Sequence, residues 1–282
     1  MSERSFIFPD TAFTGFLVRN EQDMKKMIVI IGIGELGELF AYSFLKAGYP
    51  VYPVLRGMSL SAVAAEIPEP ELVLLAVGEN ELHPELQSLP ESWHDRLALL
   101  QNELLPRDWQ RYGLVEPTVI VVWFDKKKGR PFTSLLSSYI AGPKAALITQ
   151  ALQLIEVPCC EITSENLLYE LVRKYLYILM VNIGGLRMSP GSTVHELWND
   201  HRDLAETLVN ELIDIQEWLV QSQLPRDKLM AGMLEAFDAD PKHICRGRTA
   251  TERLHRILDH ASQAGIKAPL LEDIAKGIST QD

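Results

Sequence analysis

The sequence predicts an α/β fold, with an N-terminal Rossmann-type doubly wound sheet followed by an all-helical C-terminal domain. Three observations carry that reading. Between Met27 and Phe40 a short apolar strand runs straight into a glycine-rich turn and the start of a helix. Uncharged apolar runs, most of them β-branched, then recur as far as Ile162, in the alternating style of a parallel sheet. From Ser164 onward the apolar residues repeat with helical period.

Residues 27–31 form the first strand, and their lack of charge marks it as buried on both faces. Residues 35–47 form a helix that ends at Lys46-Ala47-Gly48, a basic last turn followed by glycine. Residues 49–55 read as the second strand and 71–77, ELVLLAV, as the third. Residues 80–89 make a short polar connection or helix, and 96–101 supply another apolar run. Residues 117–124, PTVIVVWF, are the strongest strand, ended by the polar loop 125–130. Strands then cease, apart from an edge strand at 158–162 that follows an amphipathic helix at 145–155.

The helical part comprises residues 164–186, 194–223, 226–237, 251–265 and 270–277. Ser164 precedes Glu165, Thr193 precedes a helix with Glu196 at its third position, and Gly265 closes another helix, all of them start or stop signals. These divisions predict an extension at 1–26, a sheet domain at 27–162 and a helical domain at 163–282. The extension mixes Phe6, Phe8, Phe13 and Phe16 with charges, and reads as an arm packing on a partner subunit or as an artefact of expression.

The turn Gly32-Ile33-Gly34-Glu35-Leu36-Gly37 points to a dinucleotide cofactor. Gly32 permits the tight turn, Gly34 lets backbone N–H groups approach a pyrophosphate, and Gly37 lets the helix lie close to the strand. The anion then meets the unpaired N–H groups and the positive end of a helix dipole. Arg56 ends the second strand where an acidic residue would accept the ribose 2′-hydroxyls of NAD. A guanidinium there clamps the 2′-phosphate of NADP(H), the cofactor the sequence favours, unless Arg56 is merely a solvated charge.

Composition narrows the partners. The chain has 282 residues, 47% of them hydrophobic, which is ample for a core, and its net charge of -11 argues against nucleic acid, whose binders carry a basic footprint. Cys159, Cys160 and Cys245 form neither a disulfide framework nor a C-x-x-C pair, which fits a reducing cytoplasmic setting. No apolar run approaches the roughly 18 residues of a membrane span. No metal is expected: His195 and His201 fall on opposite sides of a helix, and His243 with Cys245 makes only two ligands.

The cleft beyond the strand ends needs polar groups from the helical side. Lys174 and Asn182 lie about 80° apart on one helix and can face one cleft. A lysine there donates a proton to a carbonyl or stabilises the alkoxide as hydride arrives. The alternatives are that Lys174 snorkels to solvent beside Arg173 and that Asn182 caps the helix before Gly184-Gly185. The run Lys126-Lys127-Lys128 reads as a solvated turn rather than a phosphate contact. Arg246 and Arg248 read either as ion pairs with neighbouring acids or as a bidentate site for a carboxylate or phosphate. The near-heptad seam Leu197, Leu204, Leu208, Leu212, Ile215 and Leu219 packs within the helical domain, with a homodimer interface as second choice.

The order of these features resembles the ketopantoate reductases (2-dehydropantoate 2-reductases) over nearly the whole chain after Lys26. The resemblance rests on the glycine turn, Arg56, ELVLLAV, LLQNELL, GPKAALITQAL, LVRKYLYILMVNIGGL and CRGRTATERLHRILDHASQAGIKAP. It implies NADPH-dependent reduction of a small 2-oxo acid, ketopantoate to pantoate in the family. By it Lys174 matches the catalytic lysine, Asn182 the second asparagine of that helix, and Asn102 an asparagine contacting cofactor and substrate. Glu252 matches a substrate-binding glutamate once a gap is allowed; without the gap Thr249 takes its place. The chain departs from the family at Ile178, where the helix's first asparagine stands, at Gly78, where a lysine is common, and at Glu103, where glycine stands. It also lacks the S-S-M segment. These departures favour two alternatives: a cofactor-binding protein without turnover, acting as a sensor or partner subunit, or a reductase of a less polar substrate with Ile178 lining the pocket.

Overall fold

The computed structural model describes residues 25–279. Its centre is β1 (Ile28–Ile31), all four residues of which are buried. β1 is followed by α1 (Glu35–Lys46) and runs parallel to β2 (Val51–Val54) on one side. After α2 (Leu60–Glu66) the chain returns as β3 (Leu72–Leu75), parallel to β1 on the other side. Then follow α3 (Glu79–Ser88), β4 (Leu97–Leu99), α4 (Pro106–Gln110) and β5 (Thr118–Val121), with β4 and β5 extending the parallel sheet. A small hairpin of β6 (Phe124–Asp125) and β7 (Thr133–Ser134) rises beyond β5. The chain then pairs β8 (Ser138–Ala141) antiparallel to β5, crosses α5 (Ala145–Gln153) and adds β9 (Cys159–Glu161).

The resulting order, β2-β1-β3-β4-β5-β8-β9, reverses direction at β1. The crevice between the ends of β1 and β3 is therefore the topological switch point, where open α/β sheets bind ligands. Alternate residues of the strands enter two cores. Ile28, Ile30, Leu72 and Leu74 pack with Phe40 and Phe44 of α1 and Ile148 of α5 on one face. Val29, Ile31, Val73 and Leu75 face Val63, Leu82 and Trp93, in a core that continues without a break into the C-terminal helices.

Those helices are α6 (Ser164–Gly184), α7 (Val194–Asn199), α8 (Arg202–Val220), α9 (Arg226–Ala239), α10 (Ala250–Ala264) and α11 (Pro269–Ser279). α6 is the hub: it packs against α8, α9 and α10, and its residues from Glu170 to Tyr177 are all buried. None of the described helices is long and apolar enough to cross a membrane. The 1–24 part of the expected extension lies outside the described residues, while Lys26 pairs with Glu69 at 3.0 Å.

The structure corrects several expectations. Strands do not cease after Phe124, because β6, β7 and β8 follow. The expected loop 125–130 is the tip of the β6–β7 hairpin. Of the two readings of residues 80–89 the helix is the one that holds, as α3 with Pro84 inside it. The single helix expected at 194–223 is two. A Thr193–Glu196 capping box starts α7, Asn199 turns its amide back onto the His195 carbonyl at 2.9 Å, and His201 leaves helical geometry at φ -123 and ψ 42. The apolar seam keeps its period nonetheless. Leu197, Leu208, Leu212, Ile215 and Leu219 are buried inside the chain and Leu204 partly so, which is the packing within the helical part that is the first expectation for this seam.

Candidate functional site

Gly32 ends β1 at φ +90, and a Cβ on it would lie 2.8 Å from the Ala76 carbonyl oxygen. Gly37 sits so close to the turn that a Cβ would lie 2.1 Å from the Gly32 oxygen. A Cβ on Gly34 would instead meet open space. Two glycines thus let helix and strand approach, while the third leaves room for something else. Among the described residues no side chain caps α1 at Gly34, and the first N–H groups of that helix have no partner there. A crevice of about 400 Å³ opens beside them, lined by Gly32, Ile33, Gly34, Arg56, Val77 and Gly78 among others. Glu35, Leu36 and Gly37 form the first turn of α1 behind it. This cradle fits a dinucleotide pyrophosphate.

Two charged contacts, one in the crevice and one at the start of α1 outside its lining, were not legible in the sequence. Arg56, 90% exposed, is ion-paired with Glu81 of α3. Lys126, from the hairpin, lies 3.5 Å from a buried Glu35 carboxylate oxygen that accepts no hydrogen bond among the described residues. Lys126 thereby leaves the solvated turn expected of its run, whereas Lys127 pairs with Asp125 at 3.4 Å on the surface.

Lys174 projects from α6 towards the carboxyl ends of the strands and is only 8% exposed. Its Nζ sits 4.3 Å from the centroid of the Trp123 ring and 5.5 Å from that of Tyr177. The snorkelling alternative therefore fails. Among the described residues no carboxylate forms an ion pair with this ammonium, and burial, with help from the Arg253 guanidinium, lowers its pKa to about 7. Asp125 and Glu79 oppose the shift from farther away.

Glu79 opens α3, next to Gly78 at the end of β3, and its carboxylate accepts the Asn102 N–H at 2.7 Å. Burial and the Glu103 carboxylate push Glu79 up to about 7. Asn102 follows Gln101, whose amide is fixed by the Leu75 and Val77 carbonyls and the Leu100 N–H. The ends of β3, β4 and β5 thus bring Glu79, Asn102 and Trp123 towards Lys174.

Glu103 does not present a bare negative charge to an anionic substrate. Its side chain is 9% exposed and ion-paired with Arg253 and with Arg256, the latter at 2.7 Å. Both arginines come from α10. Arg256 also donates to Asn80 at 3.0 Å, and Asn80 donates to Glu252 at 3.2 Å. Glu252 is half exposed at the start of α10, and Thr249 accepts a hydrogen bond from Arg253 at 3.1 Å.

Asn182 is placed differently from the expectation. Its amide donates to the Ile178 carbonyl at 2.8 Å and accepts the Gly247 N–H at 3.0 Å, which pins the 246–248 loop to α6. It neither caps the helix end nor turns a free amide to the cleft. Arg246 and Arg248 are exposed and form no ion pair among the described residues, so the expected pairs with neighbouring acids are absent there. Among the described residues no group of three or more His, Cys, Asp or Glu side chains is arranged to hold a metal.

Sequence reasoning missed Glu79, Trp123, Arg253 and Arg256. Only Glu79 left a trace, as the first acid after a central strand, where ligand-facing residues of a parallel sheet stand.

No protein-family model matches the chain, and no curated protein matches it. Solved structures do. A PanE/ApbA family ketopantoate reductase from Ralstonia eutropha superposes at a TM-score of 0.63 with 15% identity, covering 90% of this chain and 97% of its own. D-mandelate dehydrogenase with NADH and anilino(oxo)acetate gives 0.57 and 16%, covering 89% and 96%. A dimeric ketopantoate reductase from Staphylococcus aureus gives 0.58 and 16%, covering 90% and 98%. Many of the structural neighbours are ketopantoate reductases, so the resemblance read from the motifs is met at the level of the fold.

Proposed function

We propose that the chain is a nicotinamide-dependent reductase of a small 2-oxo acid, resembling the reduction of ketopantoate to pantoate. The observation that carries this reading is the Lys174 ammonium, buried over Trp123 beyond the carboxyl end of β5, at the same edge of the sheet as the glycine turn that ends β1. Reduced nicotinamide would supply the hydride. Gly32, Ile33 and Gly34 would hold the pyrophosphate on the α1 N–H groups, and Arg56 the 2′-phosphate of NADPH. Lys174 would hold the proton that the carbonyl oxygen takes as its carbon is reduced, and a pKa near 7 lets it give that proton and regain it. Asn102, fixed through Glu79, would align the carbonyl, and Glu252 would meet the substrate's polar end from α10.

The test is oxidation of NADPH with ketopantoate, beside a Lys174→Ala control. Turnover that the control loses by at least about a thousandfold, with NADPH affinity kept, supports the reading. Cofactor binding without turnover on any 2-oxo acid would leave a binding protein in its place.

A second reading keeps the chemistry and changes the substrate. Ile178 is partly buried against the apolar core and Trp123 floors the lysine, so this side of the site is less polar than the family's helix would make it. A higher kcat/KM on branched or aromatic 2-oxo acids than on ketopantoate would select it. The proposal includes a homodimer, on the precedent of the dimeric neighbour and not of the α8 seam, and sedimentation of the full chain tests it.

A further inference from the structure

The crevice that would take the adenosine end of the cofactor carries one cation and two carboxylates. Arg56 stands at the end of β2, while Glu81 and Glu85, one turn apart on α3, face it across the opening. Among the described residues no other lysine, arginine or histidine lines that crevice. Glu81 forms an ion pair with Arg56, and its carboxylate side chain is 46% exposed against 90% for the guanidinium. A 2′-phosphate brought to Arg56 must therefore displace Glu81 or share the guanidinium with it, and in either case sit beside two carboxylates. A 2′-hydroxyl meets neither cost, and a carboxylate accepts hydrogen bonds from a ribose diol.

We propose that Glu81 is a coenzyme-specificity residue: by holding Arg56 and placing its own charge beside the ribose, it weakens the NADP(H) preference that Arg56 alone would give and admits NAD(H) to the same site. The inference rests on the dinucleotide reading above and refines it. Glu81 acts on Arg56 through an exposed ion pair, which is weak enough for a phosphate to displace and strong enough to change a ratio of affinities. The neighbouring carboxyl registers the same field. Burial and the Glu81 charge both raise the Glu85 pKa, so the two acids already oppose each other before any phosphate arrives.

The experiment is a fluorescence titration of the full chain with NADPH and NADH at low and physiological salt, in the natural protein, Glu81→Gln, and Glu81→Gln combined with Arg56→Ala. The expected result is that NADPH and NADH bind the natural protein within about tenfold of each other. Glu81→Gln then tightens NADPH by about three- to tenfold while NADH gains nothing, and the gain disappears in the double variant and shrinks at higher salt. A natural protein that already prefers NADPH by more than a hundredfold overturns the proposal, as does a Glu81→Gln effect that is equal on both coenzymes or absent. Binding of neither coenzyme to the natural protein overturns the dinucleotide reading itself, and this inference with it.

Discussion

At neutral pH the Lys174 ammonium stands in an apolar place that a charged group leaves water reluctantly to occupy. The Trp123 face beneath it offsets part of that cost, since a cation over an indole ring is attracted to it. The remainder lowers its pKa from 10.5 to about 7. The consequence for stability has a definite sign. Between those two values the unfolded chain binds the proton that the folded chain has lost, so stability rises with pH across that window. Below pH 7 both states are protonated and the burial cost is present in full; above 10.5 both are neutral and it is gone. Lys174→Met keeps the length and removes the charge. It should raise the unfolding free energy by on the order of 3 kcal/mol at pH 7, with the gap to the natural protein closing by pH 10. Urea unfolding of both proteins at several pH values measures this, and a gap that does not change with pH would contradict it. A stabilising substitution at a residue proposed to act in turnover is what a site held in a strained electrostatic state would produce.

At the scale of elements, the glycine turn and the clamp on the 246–248 loop are both backbone problems solved by one residue type each. A Cβ at position 37 would lie 2.1 Å from the Gly32 oxygen, and neither α1 nor β1 can retreat, since both are sealed into the core. Gly37→Ala should lower the thermal midpoint by several degrees and weaken dinucleotide binding by at least about tenfold; a variant that binds as the natural protein does would show that the turn does not depend on this approach. The turn is legible in the sequence because strand, glycine spacing and helix lie within fourteen consecutive residues, and local steric rules decide it. β8 is not legible: its four residues, Ser138 to Ala141, carry no alternation, and they are a strand only because β5 lies beside them. The break between α7 and α8 is hidden for a related reason, because the apolar period runs through it unchanged while Asn199 and His201 leave the helix. Arg56 and Lys174 are visible as candidates because their types and places in an ordered series of motifs suggest a role. Glu81, Glu79 and Arg253 are not, because what they do depends on which charge the fold places beside them.

Across the whole molecule, the Glu103 carboxylate joins the end of the sheet to the helical bundle. It comes from the segment after β4, and its two partners, Arg253 and Arg256, come from α10, some 150 residues later in the chain. Glu103 and Arg253 are each only 9% exposed at the side chain, so water cannot replace either partner. In such a place the intact pair adds little net stability, while a broken one leaves a charge buried without compensation. Glu103→Ala should therefore cost on the order of 3 kcal/mol, read as a shift of the urea midpoint at constant slope. Replacing the two most buried members by apolar groups of similar volume, Glu103→Leu with Arg253→Met, should recover most of that loss, because Arg256, 28% exposed at the side chain, can turn to water. The same pair of variants tests whether the cluster also sets the electrostatics of the cleft. In Glu103→Ala the unpaired Arg253 remains to disfavour the Lys174 proton, and Glu79 loses the neighbour that raises its pKa, so Glu79 should ionise at lower pH than in the natural protein. With Arg253 also gone, Lys174 should hold its proton to higher pH, visible in the pH dependence of turnover. A Glu103→Ala protein as stable as the natural one would mean that the cluster is solvated and that the junction of sheet and helices depends on apolar packing alone.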